Sequence, residues 1–338
     1  MPQNSFGDPL RMKNVLVTGG TGFIGSNLAA ALVHNGVAVR ILRRSSSDLF
    51  NVKSLPVEHC IGDVRDSASL RSAMKGCDTV FHTAAMVSFW RPLRQLQHEV
   101  NVGGTRNVVQ ACLDEGVKRL VHTSSIAAIG HPSDGNIADE TTAFNWQSVD
   151  NGYKNSKHLA EKEIEDGVAR GLDAVMVNPA VVIGPGDIHF NGGKILRVVK
   201  RGQSLFYIKG GMNVAFVDDV VRGHIGAATK GKTGERYILG GENLTQKDVF
   251  RITSEIIGGI PPIIRLPVPL LMLAASAFDI IGMILHKEPM LSTELISGAG
   301  IFNWYSSAKA QRDIDYSITP FRESVTRTYA WYREKHLL

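Results

Sequence analysis

Two five-residue stretches set a tyrosine four places ahead of a lysine: YKNSK, Tyr153 to Lys157, and YSSAK, Tyr305 to Lys309. On a helix this spacing stacks both side chains on one face, where an ammonium lowers a phenol's proton affinity and fits it for acid–base work. A chain of this composition yields about 0.4 such pairs by chance, so the surroundings must decide. Tyr153 opens a helical stretch that follows the strand-like run RLVHTSS, whose end carries Ser124 and Ser125. In an open parallel sheet, ligands bind outside the carboxyl ends of the strands, which brings these serines and Tyr153 to one place. Tyr305 has no such partner, and FNWYSSAKAQRDIDY reads as the cap and first turn of a surface helix.

A second chemical signal lies in VLVTGGTGFIG. A strand runs into Gly19, Gly22 and Gly25, and a helix then starts at Phe23 and Ile24. Glycines there permit a tight turn and let a pyrophosphate reach the free N–H groups at the positive end of the helix. The second strand ends in VRILRRSSS, with no acid to hold free ribose hydroxyls. Arg43, Arg44 and Ser45 are instead suited to a 2′-phosphate, so NADP(H) is expected as the cofactor, with NAD(H) as the alternative. In GDVRD, Asp63 is placed to accept from the adenine amino group beside Val64, and in FHTAA the small Ala84 and Ala85 leave room for the cofactor.

These groups need a frame. From Asn14 the chain alternates short apolar runs (NVLVTG, VAVRIL, VEHCIG, TVFHTA, RLVHTS, AVMVNP) with helical stretches, one of them running from Val100 to Glu115. That pattern predicts an α/β fold, a doubly wound parallel Rossmann sheet with a smaller C-terminal substrate lobe. The expected division is a loose leader over 1–12, a dinucleotide-binding domain over 13–180, and a mainly substrate-binding lobe over 181–338, with segments near 213–240 returning to the first domain.

The 338 residues are 43% apolar and 20% charged, the balance of a soluble globular protein. The 37 basic and 32 acidic residues give a net charge of +5 without a basic run, so no nucleic-acid partner is expected. Cys60, Cys77 and Cys112 are far apart, and neither they nor His59, His82, His98, His122, His131 and His224 fall in metal-ligand spacing. No metal, no secretion signal and a cytoplasmic setting are expected. The apolar segment from Leu266 to Lys287 is broken by Asp279 and Gly282 and begins with prolines. It is expected to form a helix closing the substrate lobe, membrane-surface contact being the less favoured alternative.

In order along nearly the whole chain, TGGTGFIG, GDVRD, HTAA, NVGGT, TSS, YKNSK, NPAVVIGP and FVDDV resemble the extended short-chain dehydrogenase/reductases, the NAD-dependent epimerase/dehydratase superfamily. ERYILGGENLT and SSAKA are similar to stretches of dihydroflavonol-reductase-like proteins and hopanoid-associated sugar epimerases. The resemblance implies that Tyr153 is the acid/base, that Lys157 lowers its pKa and holds the nicotinamide ribose, and that Ser125 binds the substrate oxygen. It further implies that Asn101 supports the lysine through backbone or water, that Ser124 and Pro179 line the cofactor, and that Asn178 lies toward the substrate.

The residues before FVDDV, Met212 to Ala215, carry no charge for a diphosphate, and MVSFW offers Met86, Phe89 and Trp90 as an apolar wall. Together these predict an NADP-dependent reductase of an apolar or aromatic ketone or aldehyde, working as a homodimer. Two alternatives stand beside it. One is a nucleotide-sugar epimerase or dehydratase with retained NAD(P), for which Lys194 and Arg197 could reach a phosphate. The other is a catalytically silent NAD(P)-binding regulatory protein.

Overall fold

The structure is a computed structural model, and it describes residues 12–131, 136–146 and 149–338. The first half interleaves strands and helices, with a non-helical connection between its second and third strands: β1 Asn14–Thr18, α1 Phe23–His34, β2 Ala38–Arg43, β3 Glu58–Ile61, α2 Ser67–Met74, β4 Thr79–His82, α3 Arg94–His98, α4 Gly104–Asp114, β5 Arg119–Thr123, α5 Gly152–Ala169 and β6 Ala174–Pro179. The second half has β7 Val181–Ile183, α6 Lys194–Lys200, β8 Phe206–Tyr207, β9 Gly211–Phe216, α7 Val217–Lys230, β10 Arg236–Leu239, β11 Glu242–Thr245 and α8 Gln246–Ile257. It ends with β12 Ile264–Arg265, α9 Val268–Leu285, α10 Thr293–Ile296, α11 Ala308–Ile314 and α12 Phe321–Glu334.

Seven parallel strands form one sheet in the order β3-β2-β1-β4-β5-β6-β10. The chain winds outward from β1 to β3, then returns to β4 on the other side of β1. The crevice at the carboxyl ends of β1 and β4 is therefore the topological switch point. The inner strands read as largely apolar runs because both faces are covered, while the edge strand β3 is mostly exposed. Leu28 and Leu32 of α1 pack with Val220 and Ile225 of α7 on one face, and Leu70 of α2, Val108 of α4 and Ile164 of α5 on the other. This is the doubly wound α/β architecture expected from the sequence.

A separate lobe is built on the three-stranded sheet β11-β9-β7. Its core joins Leu196 and Val199 of α6, Val249 of α8, and Phe321 and Val325 of α12.

Three local expectations are corrected. The helix expected from Val100 opens as a π-helical turn, Glu99–Gly103, before α4 begins. Tyr305 is not on a surface helix: it is buried beside Ile129, Ala138 and Ile238, bridges Ala138, and precedes α11. Burial raises its pKa, and because the helix starts only at Ala308, Tyr305 and Lys309 do not share a helical face. The apolar segment does form a helix, α9, but only Ala275 and Gly282 within it are buried.

Candidate functional site

The glycine turn after β1 is packed so tightly that side chains would not fit. A Cβ on Gly19 would stand 2.7 Å from the Ala84 backbone, and Gly19 itself sits at φ +68°. A Cβ on Gly25 would stand 2.3 Å from the Gly19 carbonyl oxygen and 2.7 Å from Thr83 Oγ1. Phe23 and Ile24 open α1, whose first turn holds no acid and whose N-cap, Gly22, adds no side-chain bond. The positive helix end is thus left without a neutralising group, which fits a dinucleotide's pyrophosphate. Ala84 reaches toward Thr18 Oγ1 through its N–H, and Ala85 beside it is exposed.

At the far end of the crevice, Arg43 Nε donates to His59 Nδ1 at 3.0 Å and its Nη1 to the Arg44 carbonyl at 3.3 Å. Arg44 and Ser45 are exposed. Both carboxylate oxygens of Asp63 already accept from the Arg65 guanidinium at 3.0 Å, and that hydrogen bonding holds the carboxyl below its ordinary pKa. Val64 is buried, and a Cβ on Gly104 would meet its side chain at 2.8 Å, so it packs in the core.

The proposed acid–base groups converge at the ends of β5 and α5. Asn151 caps α5 by accepting from Lys154 N, which fixes the turn bearing Tyr153. Burial raises the Tyr153 phenol's pKa, and a hydrogen bond with Ser125 draws it back. Ser125 Oγ also accepts from Ala127 N at 3.1 Å, capping the short turn after β5. Lys157 is buried and donates to the Thr123 carbonyl at 2.9 Å. Burial brings its pKa down to about 8, with Glu161 opposing. Ser124 is buried with its hydroxyl unpartnered, and Pro179 is buried at the end of β6. A buried hydroxyl without a partner is costly unless something polar meets it, which also fits a bound dinucleotide.

Asn101 sits in the π-turn, an irregularity common at functional sites. Its amide donates to the Met86 carbonyl and to Ser156 Oγ at 2.9 Å each, and its Oδ1 accepts from Met86 N at 2.7 Å. It therefore ties the loop after β4 to α5. Asn178, expected toward the substrate, stands behind Ser125, with its Oδ1 buried and unpartnered. It is fully buried on β6 and donates to the Ser125 carbonyl at 2.9 Å and to Glu161 at 2.6 Å, so it holds the serine from behind.

The Phe89 ring meets the Tyr153 ring edge-on, centroids 5.5 Å apart. Met86, Phe89 and Trp90 are half-buried. Several groups at this wall went unnoticed in the sequence because their partners lie about two hundred residues away. Glu288 accepts from Ser88 Oγ at 3.0 Å and Phe89 N at 3.2 Å, and Ser292 Oγ donates to the Phe89 carbonyl at 2.6 Å. Arg94 bridges Glu294 and Asp150 just ahead of α5. Lys154 lies 2.7 Å from the Trp146 ring centroid, and burial takes its pKa down to about 7.

Beneath the site, His82, His122 and His224 are buried. Burial lowers His82 from 6.5 to about 3 and His224 to about 4, and takes His122 well below 6.5. The folded state keeps them neutral, while the unfolded chain takes up protons once pH falls below about 6.5. Their contribution to stability is thus fully present above that pH and is lost as pH falls toward the folded values. Each is worth up to about 1.4 kcal/mol per pH unit in that window. The melting temperature is expected to drop between pH 6.5 and 4. A His122→Leu variant, which breaks no hydrogen bond of the ring, should show a shallower drop; equal slopes would count against this account.

The model of the NAD dependent epimerase/dehydratase family matches residues 15–240. The chain belongs to this family. It is 35% identical over 323 residues to a Synechocystis sp. protein named "Putative dihydroflavonol 4-reductase", covering 94% of each chain. It is 31% identical over 335 residues to sterol demethylase protein B of Methylococcus capsulatus, covering 96% of this chain and 99% of that one. The crystal structure of gox2253 superposes with a TM-score of 0.84 at 37% identity, over 96% of this chain and 99% of the other.

The expectation of NADP(H) is overturned. Four solved structures of this fold, among them the Thermus thermophilus UDP-glucose 4-epimerase (TM-score 0.75, 23% identity, covering 95% and 99% of the two chains), hold NAD. Of the residues in the arginine argument, Arg43 is turned onto His59 of β3, while Arg44 and Ser45 are exposed. The family match also supports the epimerase/dehydratase alternative with retained NAD(P) better than NADP-dependent carbonyl reduction.

Proposed function

We propose that this enzyme begins its reaction by oxidising a secondary alcohol with NAD, the step that dehydrogenases and epimerases have in common, and that the alcohol is carried on an apolar, ring-bearing molecule. The observation that carries the substrate class is the Phe89 ring set edge-on against Tyr153, which puts an aromatic wall beside the proton-transfer group. The relative named sterol demethylase protein B supports the same class.

Gly19, Gly22, Gly25 and the first turn of α1 would hold the pyrophosphate, and Ser124 would meet the cofactor. NAD, when bound, supplies the acceptor for hydride. Tyr153 exchanges the hydroxyl proton, Ser125 hydrogen-bonds the same oxygen, and Lys157 beneath them provides positive charge. Asn101 and Asn178 act as positioning residues, the first on the Met86 loop and the second on Ser125.

A second reading, a nucleotide-sugar epimerase or dehydratase, is favoured by the family match. Two measurements separate the readings: dinucleotide released on denaturing the purified protein, and turnover across a panel in which sterol-type alcohols are followed by net NADH formation and UDP- or dTDP-sugars by chromatography of the sugar product, because an epimerase or dehydratase returns its hydride and forms no net NADH. NAD-dependent turnover of the sterol-type alcohols is expected. Turnover of a nucleotide sugar with none of any apolar alcohol would replace this proposal with the second reading.

A further inference from the structure

Helix α9 is inside-out for a water-exposed helix. Its less exposed side carries Ala275, Asp279 and Gly282 together with the half-buried Leu271 and Met272, while Leu270, Leu273, Ile280 and Ile284 form an outward stripe. Leu273 and Ile284 are each 70% exposed. Isolated exposed apolar residues are ordinary, but a continuous stripe over about four turns marks a surface that meets something apolar. Among the described residues, α9 is the one helix long and apolar enough to cross a membrane.

The connections at both ends rule out crossing. Immediately before α9, Leu266 N donates to the Tyr207 carbonyl, and β12 pairs with β8. Just after it, Ser292 donates to Phe89, while Thr293 donates to Asp279 through both its N–H and its hydroxyl. Both ends are fastened to the same body, so an axis of about 27 Å lies along the protein surface.

The charges complement one kind of apolar surface. The two acids between Leu266 and Ser292, Asp279 and Glu288, are tied back to Thr293 and to Ser88 and Phe89. Exposed cations stand at the ends: Arg265 ahead of the helix, Lys209, whose carbonyl borders Gly300 as the Val268 side chain does, and Lys287 behind it. Apolar side chains on one face with cations at the margins suit the boundary between acyl chains and anionic headgroups.

We propose that α9 docks the protein flat on an anionic bilayer surface, the Leu270–Leu273–Ile280–Ile284 stripe entering the acyl boundary and Arg265, Lys209 and Lys287 meeting lipid phosphates. Glu288 and Ser292 carry this contact to Phe89, so docking sets the aromatic wall of the site next to the membrane. The proposal does not depend on the substrate assigned above.

The test is flotation of the full chain with vesicles made of equal parts phosphatidylcholine and phosphatidylglycerol, beside vesicles of phosphatidylcholine alone. The protein should float with the anionic vesicles and be released by alkaline carbonate. A Leu273→Glu/Ile284→Glu variant should bind roughly tenfold or more weakly at an unchanged melting temperature. An Arg265→Glu/Lys287→Glu variant should lose the preference for anionic vesicles. Three results would each overturn the proposal: no flotation with either vesicle, flotation that survives the Leu273/Ile284 variant, or resistance to carbonate. A dimer broken by that variant, with no vesicle binding, would assign the stripe to a second copy of the chain.

Discussion

Replacing Tyr153 with phenylalanine is expected to lower kcat roughly a thousandfold, within the range found when a positioned acid or base is removed. The change deletes one oxygen. The ring remains, and with it the edge-on contact to Phe89 at 5.5 Å, so the apolar wall should keep its shape and KM should change little. The N-cap at Asn151 and the buried ammonium of Lys157 are untouched. Binding of NAD, followed by quenching of protein fluorescence, should stay within about twofold of the parent, because the glycine turn is unaffected. The loss should therefore fall on the chemical step, and the melting temperature should hold. A Tyr153→Phe enzyme keeping a tenth or more of the parent's turnover would remove Tyr153 from the acid/base role. In that case Lys154, brought down to about 7 by burial, would be the next group to examine.

What the sequence made legible was what is local in the chain. The inner strands of the large sheet are short apolar runs, read without knowing their neighbours because a strand covered on both faces has no polar side, whereas the edge strand β3 keeps Glu58 and His59 exposed. The glycine turn could be read because only a close approach of backbones calls for glycine at Gly19 and Gly25 together. Direction was harder. Hydropathy shows how apolar Leu266 to Lys287 is but not which way it faces, and a chain of Leu, Ile and Met reads alike whether it closes a lobe or lies open to solvent. Asn178 shows the same limit. Its place at the end of a strand was clear, but its burial behind Ser125 depends on Glu161 of another element. Arg43 misled because its alternative partner, His59, lies on the neighbouring strand. The ties from Glu288 and Ser292 to Phe89 leave no trace in the sequence, since an ordinary surface acid and serine look the same.

Gly25→Ala is expected to weaken NAD binding by roughly a hundredfold and to cost about 1–3 kcal/mol of stability. The new methyl would stand 2.3 Å from the Gly19 carbonyl oxygen. That oxygen belongs to a backbone already constrained by φ +68° at Gly19 and by a bond from Gly22 N at 2.9 Å, so it cannot move aside as a side chain would. Thr83 Oγ1, 2.7 Å from the same methyl, is itself held on the Thr18 carbonyl. The strain is therefore relieved by displacing the first turn of α1, the element whose N–H groups are proposed to face the pyrophosphate. Gly36, past the other end of α1, provides the comparison: it has φ +77°, and a methyl there would meet nothing within 4 Å. Gly36→Ala should cost about 1 kcal/mol through its left-handed backbone alone and leave NAD affinity unchanged. Thermal melts and fluorescence titrations on both variants separate the two effects. Should Gly25→Ala bind NAD as the parent does, or Gly36→Ala weaken it equally, the turn after β1 would lose its assignment as the cofactor cradle.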